Sequence, residues 1–156
     1  MLRQMHKHES ILVKDDPVRP RFSYEWRTSY GREIWVWEND TTGSIDGVIC
    51  VAYTNSIPSS EDDLELFSST PDTIKNTAVF YTIWSYTAGA GRTLLNQIAA
   101  HLRDTNEFLE RWVTLSPLTE MAERFHIKNG AVLLQKHKDC QNFDYTHVVK
   151  RFVEIT

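Results

Sequence analysis

The stretch from Thr77 to Leu102 constrains this chain more than any other. Thr77–Tyr86 is β-branched and aromatic, and reads as a strand. It runs into Thr87-Ala88-Gly89-Ala90-Gly91-Arg92. Leu94, Leu95, Ile98, Ala99 and Leu102 then recur at spacings of three and four, the pattern of an amphipathic helix. A strand, a glycine loop and a helix start in succession form an anion site. Glycine lets the backbone approach a phosphate, and the free N–H groups of the first helical turn point at it. Arg92 adds a charge-assisted contact. The candidate ligand-binding run is therefore Ser85, Tyr86, Thr87, Ala88, Gly89, Ala90, Gly91 and Arg92. Taken alone, Gly-x-Gly also fits a plain tight turn. The spacing is not that of a Walker loop, since no Lys-Ser or Lys-Thr follows.

The flanking sequence supplies a sheet for this unit. Glu33–Glu38 and Val48–Thr54 read as strands separated by the turn residues of Asn39–Gly47, which suggests a hairpin. Asn55–Asn76 is acidic and serine-rich and reads as a loop or a weak helix, its acidic run a solvated face. Arg111–Ser116 reads as a strand. Leu118–Asn129 is helical, with Leu118, Met121, Ala122 and Phe125 on one face and Gly130 as its stop. Ala131–Gln135 and Thr146–Ile155 read as final strands. Residues 1–22 are polar, with Pro17 and Pro20, and form a loose N-terminal arm or a short helix. The order implies an α/β (α+β) fold with helices flanking a mixed, mostly antiparallel sheet, and residues 1–156 as one domain.

Composition narrows the function classes. A chain of 156 residues with 41% hydrophobic and 24% charged residues buries a real core. The net charge of −4 gives no global attraction to nucleic acid. No stretch has the length and apolarity of a membrane span, so no membrane partner is expected. Cys50 and Cys140 are too few for a disulfide scaffold and lack metal spacing; Cys50 reads as a buried inert thiol. His101 lies on the helix that follows the glycine loop, His137 and His147 fall near strand ends, and no metal is expected. A reducing cytosol is the expected compartment. Trp26, Trp35, Trp37, Trp84 and Trp112 read as sheet packing, with Trp84 near enough to the glycine loop to meet a ligand.

Two polar residues stand at element ends. Ser116 closes the strand before Pro117, and His126 sits near the end of the following helix. A hydroxyl and an imidazole so placed are candidate catalytic groups. Without further information, Ser116 reads equally as a strand-end cap and His126 as a structural histidine.

The motif order resembles the Gcn5-related N-acetyltransferase (GNAT) superfamily, whose loop reads Gln/Arg-x-x-Gly-x-Gly/Ala. Tyr86 stands where Gln or Arg is usual, while Gly89 and Gly91 match. Ala122, Phe125 and Gly130 match the later Ala-x-x-Phe-Tyr-x-x-x-Gly pattern, with His126 at the tyrosine position. Several blocks are similar to the catalytic domain of malonyl-CoA decarboxylases: Ala78–Ile83, Val113-Thr114-Leu115-Ser116-Pro117, Arg124–Ala131 and, more faintly, Asn142–Tyr145. Residues 1–22 are expected to be too short an arm to form that family's helical N-terminal domain. The long insertion between its serine and histidine motifs is replaced by the short bridge Leu118–Arg124, and Thr119 and Met121 replace its second proline and glycine.

The resemblance implies a coenzyme A thioester as substrate, with Ser116 and His126 as catalytic residues. Thr114, Asn129 and Tyr145 are implied helpers or acyl-pocket residues, although Asn129-Gly130 also reads as a helix stop. Three functions follow as expectations. The first is decarboxylation of malonyl-CoA or a similar carboxyacyl-CoA, with His126 titrating near working pH. The second is acyl transfer to an amine, with His126 or Tyr145 as acid and Glu120 or a water as base. The third is acyl-CoA binding without turnover. The oligomeric state stays open, a homodimer included.

Overall fold

The computed structural model describes residues 1–71 and 74–155, the last five through their backbone only; residues 72 and 73, within the expected loop, and residue 156 lie outside the described residues. The strands are β1 (Leu2–Gln4), β2 (Arg32–Glu38), β3 (Ile45–Thr54), β4 (Thr77–Ser85), β5 (Arg111–Thr114), β6 (Ser116–Pro117), β7 (Val132–Lys136) and β8 (Cys140–Asp144). The helices are α1 (Tyr24–Thr28), α2 (Glu61–Ser69), α3 (Ala90–Thr105), α4 (Glu120–Lys128) and α5 (Thr146–Ile155), with a 3₁₀ segment at Lys7–Asp15. One eight-stranded sheet runs β1-β2-β3-β4-β5-β8-β6, and β7 pairs with β8. Only β4 and β5, joined through α3, are parallel; the other pairs are antiparallel. The expected mixed, mostly antiparallel sheet with flanking helices is what the chain forms.

Each sheet face carries its own core. Ile49, Val51, Phe80, Trp112, Phe143 and Tyr145 pack against Leu94, Leu95, Ile98 and Leu102 of α3 and Val149 of α5. Ile34, Val36, Val48, Cys50, Tyr81, Val113 and Leu115 face the other way, against Met5, Val13 and Leu64. Strand alternation sends successive side chains to opposite cores.

Several expectations are corrected. Of the two readings of residues 1–22, the short helix is realised as the 3₁₀ segment and the loose arm is not, since β1 joins the sheet edge. Their polarity misleads because Asp16 and Arg19 are buried with partners. The weak helix within 55–76 is realised as α2, started by Ser60, whose hydroxyl accepts the Asp63 N–H. Thr146–Ile155 is helical, not a strand. Asp144 takes the Thr146 N–H with its carboxylate at 2.8 Å and turns the chain out of the sheet, so its β-branched residues serve a helix face. On α4, Met121 is 76% exposed and the buried residue is His126, because the inward face is rotated one position from the expected one.

The expected strand Arg111–Ser116 is split. Thr114 Oγ1 accepts the Phe143 N–H at 3.0 Å and so replaces a backbone rung between β5 and β8. The Leu115 N–H is donated to the Phe80 carbonyl at 3.1 Å, and pairing with β8 resumes at Ser116.

Candidate active site

The glycine loop opens α3. Gly89 is its N-cap with φ 81°, a left-handed conformation that a side chain resists, and nothing crowds the position otherwise. Among the described residues the N–H groups of Gly91 and Arg92 have no acceptor, which leaves them free for an anion. A Cβ at Gly91 would lie 3.7 Å from the Phe125 ring, so the loop packs directly against the residue before His126. Ser85, Tyr86, Thr87, Ala88, Gly89 and Arg92 are exposed, whereas Ala90 and Gly91 are buried. The Tyr86 side chain turns away from the loop. Its hydroxyl donates to Asp15 at 2.7 Å and accepts from Trp84 Nε1 at 3.0 Å, and partial desolvation of that hydroxyl, with the Asp15 carboxylate beside it, pushes its pKa up to about 12. Trp84 belongs to the core beside Cys50.

Next to the loop, β4 and β5 part. Their parallel register runs from Thr77↔Arg111 to Phe80↔Thr114 and stops. Opposite, the β3 register skips Tyr81, which makes Tyr81 a bulge that re-aims the strand at this point. Beyond the last rung, the guanidinium of Arg19 occupies the gap. Nη1 donates to the Tyr81 carbonyl and Nη2 to the Leu115 carbonyl at 3.0 Å. Arg19 is 1% exposed, and its Nε pairs with Glu61 at 3.0 Å.

Ser116 follows Leu115. Its hydroxyl lies 2.7 Å from Thr114 Oγ1, and both are buried. Ser116 is in register with Gln141 on β8, two residues before Phe143. The Phe143 ring stacks under the His126 imidazole with centroids 5.0 Å apart. His126 Nδ1 lies 2.7 Å from the Tyr145 hydroxyl. Ser116, Thr114, Phe143, His126 and Tyr145 thus form one run on the α3 side of the sheet. The serine and histidine meet through Thr114 and Phe143, not through a direct hydrogen bond. Asn129 stands apart: its side chain donates to the Phe125 carbonyl at 2.8 Å and closes its own helix.

Burial sets the electrostatics. It lowers the His126 pKa to about 4 and raises that of Tyr145. The expected titration near working pH is therefore corrected: the imidazole is neutral at pH 7. Burial likewise pushes the Cys50 thiol up to about 11. No group of three or more His, Cys, Asp or Glu side chains suited to a metal occurs among the described residues. No helix among them is long and apolar enough to cross a membrane.

Sequence reasoning missed the N-terminal side of this site. Asp16 Oδ1 accepts from the Arg19 N–H at 2.9 Å and from Thr82 Oγ1 at 2.8 Å, and Asp16 Oδ2 pairs with Arg27 at 2.8 Å. Arg27 also donates to the Arg19 carbonyl at 2.6 Å. Isolated charges in a polar segment carry no periodic signal, and Pro17 and Pro20 alone do not distinguish a fixed turn from a loose arm.

Solved structures share the overall fold of this chain. An Agrobacterium vitis malonyl-CoA decarboxylase is similar at TM-score 0.63 and 24% identity, over 80% of this chain and 35% of that one. An aminoglycoside acetyltransferase, AAC(6')-Ib, solved with coenzyme A and kanamycin, is similar at TM-score 0.62 and 12% identity, over 99% and 98%. Arabidopsis thaliana NAA60, bound to a bisubstrate analogue, is similar at TM-score 0.63 and 10% identity, over 93% and 97%. The fold is that of the GNAT superfamily. The chain matches no protein-family profile and no curated protein. It spans about a third of the decarboxylase's length. Within the GNAT fold, the glycine loop and the gap between β4 and β5 lie side by side, with Ser116 and His126 both on the α3 side of the sheet.

Proposed function

We propose that this chain, read as one domain over residues 1–156, binds acyl-CoA and decarboxylates malonyl-CoA or a similar carboxyacyl-CoA, in a reducing cytosol. The observation that carries the reading is the run of uncharged donors beside the parted strands: Ser116 with Thr114, and His126 with Tyr145. A carboxylate about to leave as carbon dioxide must be oriented without being held in a salt bridge, which would stabilise the ground state. Neutral hydroxyl and imidazole groups in a buried setting meet that need.

In the proposed reaction the bond between the carboxylate carbon and Cα breaks. Its electron pair moves to the thioester oxygen, giving an enolate and carbon dioxide. Cα then takes a proton, and acetyl-CoA results. The Gly91 and Arg92 amides and the Arg92 guanidinium take the pyrophosphate, while Ser85–Ala88 run along the pantetheine arm. A backbone N–H of β4 within 82–85 that is turned away from β3 faces the enolate oxygen. Ser116 orients the carboxylate, and His126 donates its Nε2 proton to Cα while Nδ1 takes the proton of the Tyr145 hydroxyl, which regains one from water.

A second reading is acyl transfer to an amine, favoured by the near end-to-end match to acetyltransferase structures. Incubation with malonyl-CoA decides between them. Acetyl-CoA formed without amine, and lost in His126→Ala, supports decarboxylation. Acetyl-CoA consumed only when amines are supplied selects transfer. Binding without turnover in either assay leaves a coenzyme A-binding module.

A further inference from the structure

The gap between β4 and β5 holds a buried cation that the reaction above does not use. Where the ladder stops, the carbonyls of Tyr81 and Leu115 both turn to one guanidinium. Two buried carbonyls without donors are costly, and one planar fork satisfies both. A lysine has donors enough for two carbonyls but no planar fork to hold both in this geometry. The fork is itself held in place. Asp16 fixes the Arg19 amide, Arg27 takes the Arg19 carbonyl, and Glu61 takes Nε. Glu61 is 33% exposed and also pairs with Arg21, so water weakens its compensation of the Arg19 charge. The Leu115 carbonyl bound by Arg19 is one peptide from Ser116, and the Tyr81 carbonyl belongs to the peptide whose N–H is that of Thr82.

We propose that Arg19 is a positioning residue of the acyl site, setting the opening between β4 and β5 and placing a fixed positive charge beside the reacting thioester. This rests on the acyl-CoA reading. Arg19 does not touch the reacting atoms. Its three bonded N–H directions are occupied by two carbonyls and a carboxylate, so it acts through the peptides of Tyr81 and Leu115 and through its field. Negative charge on the thioester oxygen grows as carbon dioxide leaves. A preorganised cation in a dry gap stabilises that charge more than it stabilises the bound substrate.

The test uses the full chain as Arg19→Lys and Arg19→Gln, with Arg21→Met as control. Arg21 touches Glu61 but neither carbonyl. Two readouts are taken: turnover of malonyl-CoA, and amide hydrogen exchange at Thr82 and Ser116 against amides of β2 and β3. In either Arg19 variant that folds, exchange at Thr82 and Ser116 rises about tenfold or more while β2 and β3 hold. In the same variants kcat falls at least about tenfold with KM changed less than about threefold. Arg21→Met matches the wild type in both readouts. Wild-type kcat in a folded Arg19 variant overturns the proposal, as does unchanged exchange. Should the wild type turn over no malonyl-CoA, the decarboxylase reading falls separately. The exchange comparison then still decides whether Arg19 sets the opening.

Discussion

His126 and Tyr145 form a closed pair beneath the surface, with Nδ1 2.7 Å from the phenolic oxygen. The two arrive from different elements, α4 and the link from β8 to α5. When Tyr145 donates, Nδ1 is the acceptor and the histidine proton sits on Nε2, the nitrogen left free for a ligand. The pairing therefore selects the tautomer that can deliver a proton.

Tyr145→Phe removes the partner and keeps the ring. A buried Nδ1 left unsatisfied costs about 1–3 kcal/mol, to be read as a lower urea midpoint at pH 7. Turnover should fall as well, because the tautomer is no longer fixed. Equal stability of the two proteins would show that the pair is not closed in solution.

The depressed histidine makes stability pH-dependent. Its pKa is about 4 in the folded chain, against 6.5 for a free histidine. Between those values the unfolded chain binds the extra proton. The contribution is complete above pH 6.5 and is lost as pH falls toward 4, a total of about 3 kcal/mol. The stability difference between wild type and His126→Phe should shrink by that order from pH 7 to pH 4. A constant difference across the range would contradict the buried neutral imidazole.

Gly89→Ala tests the loop by conformation alone. Nothing lies near the added methyl, so its cost is that of φ 81° for an alanine, about 1–2 kcal/mol. Calorimetric titration with coenzyme A should show weaker binding, with the loss concentrated in the phosphate end. A dephosphorylated pantetheine fragment should bind both proteins alike. Full-strength coenzyme A binding by Gly89→Ala would remove the loop from the ligand site.

Arg27→Met breaks the buried pair with Asp16, in which both side chains are fully enclosed. Leaving Asp16 with an uncompensated charge costs about 3–5 kcal/mol, visible in chemical denaturation. Asp16→Asn in the same background should recover part of that loss, since the amide carries no charge.

The fold class was legible because its signals are long. The alternation of β2, the apolar runs of β3 and β4 and the three-four spacing of α3 each extend over many residues. Gly89 and Gly130 were readable for a different reason: both take positive φ, which few other residues tolerate. The α5 segment misled because Val148 and Val149 suit either element, and only the Asp144 turn decides. His126 was found by its place in a motif, but its protonation was not, since desolvation depends on Phe125, Phe143 and Tyr145 closing around it. Arg19 and Asp16 were invisible: a buried ion network looks in sequence like an ordinary solvated segment.

The reach of Arg19 also has a kinetic meaning. Its carbonyl partners lie 62 and 96 residues further along the chain, and Thr82 lies 66 residues beyond Asp16. Arg19 cannot complete its fork until the chain has reached Leu115. Closing loops of that length places the gap between β4 and β5 among the slow, late steps of folding. The hairpin of β2 and β3 can form from neighbouring residues, whereas the site waits for most of the chain to be made.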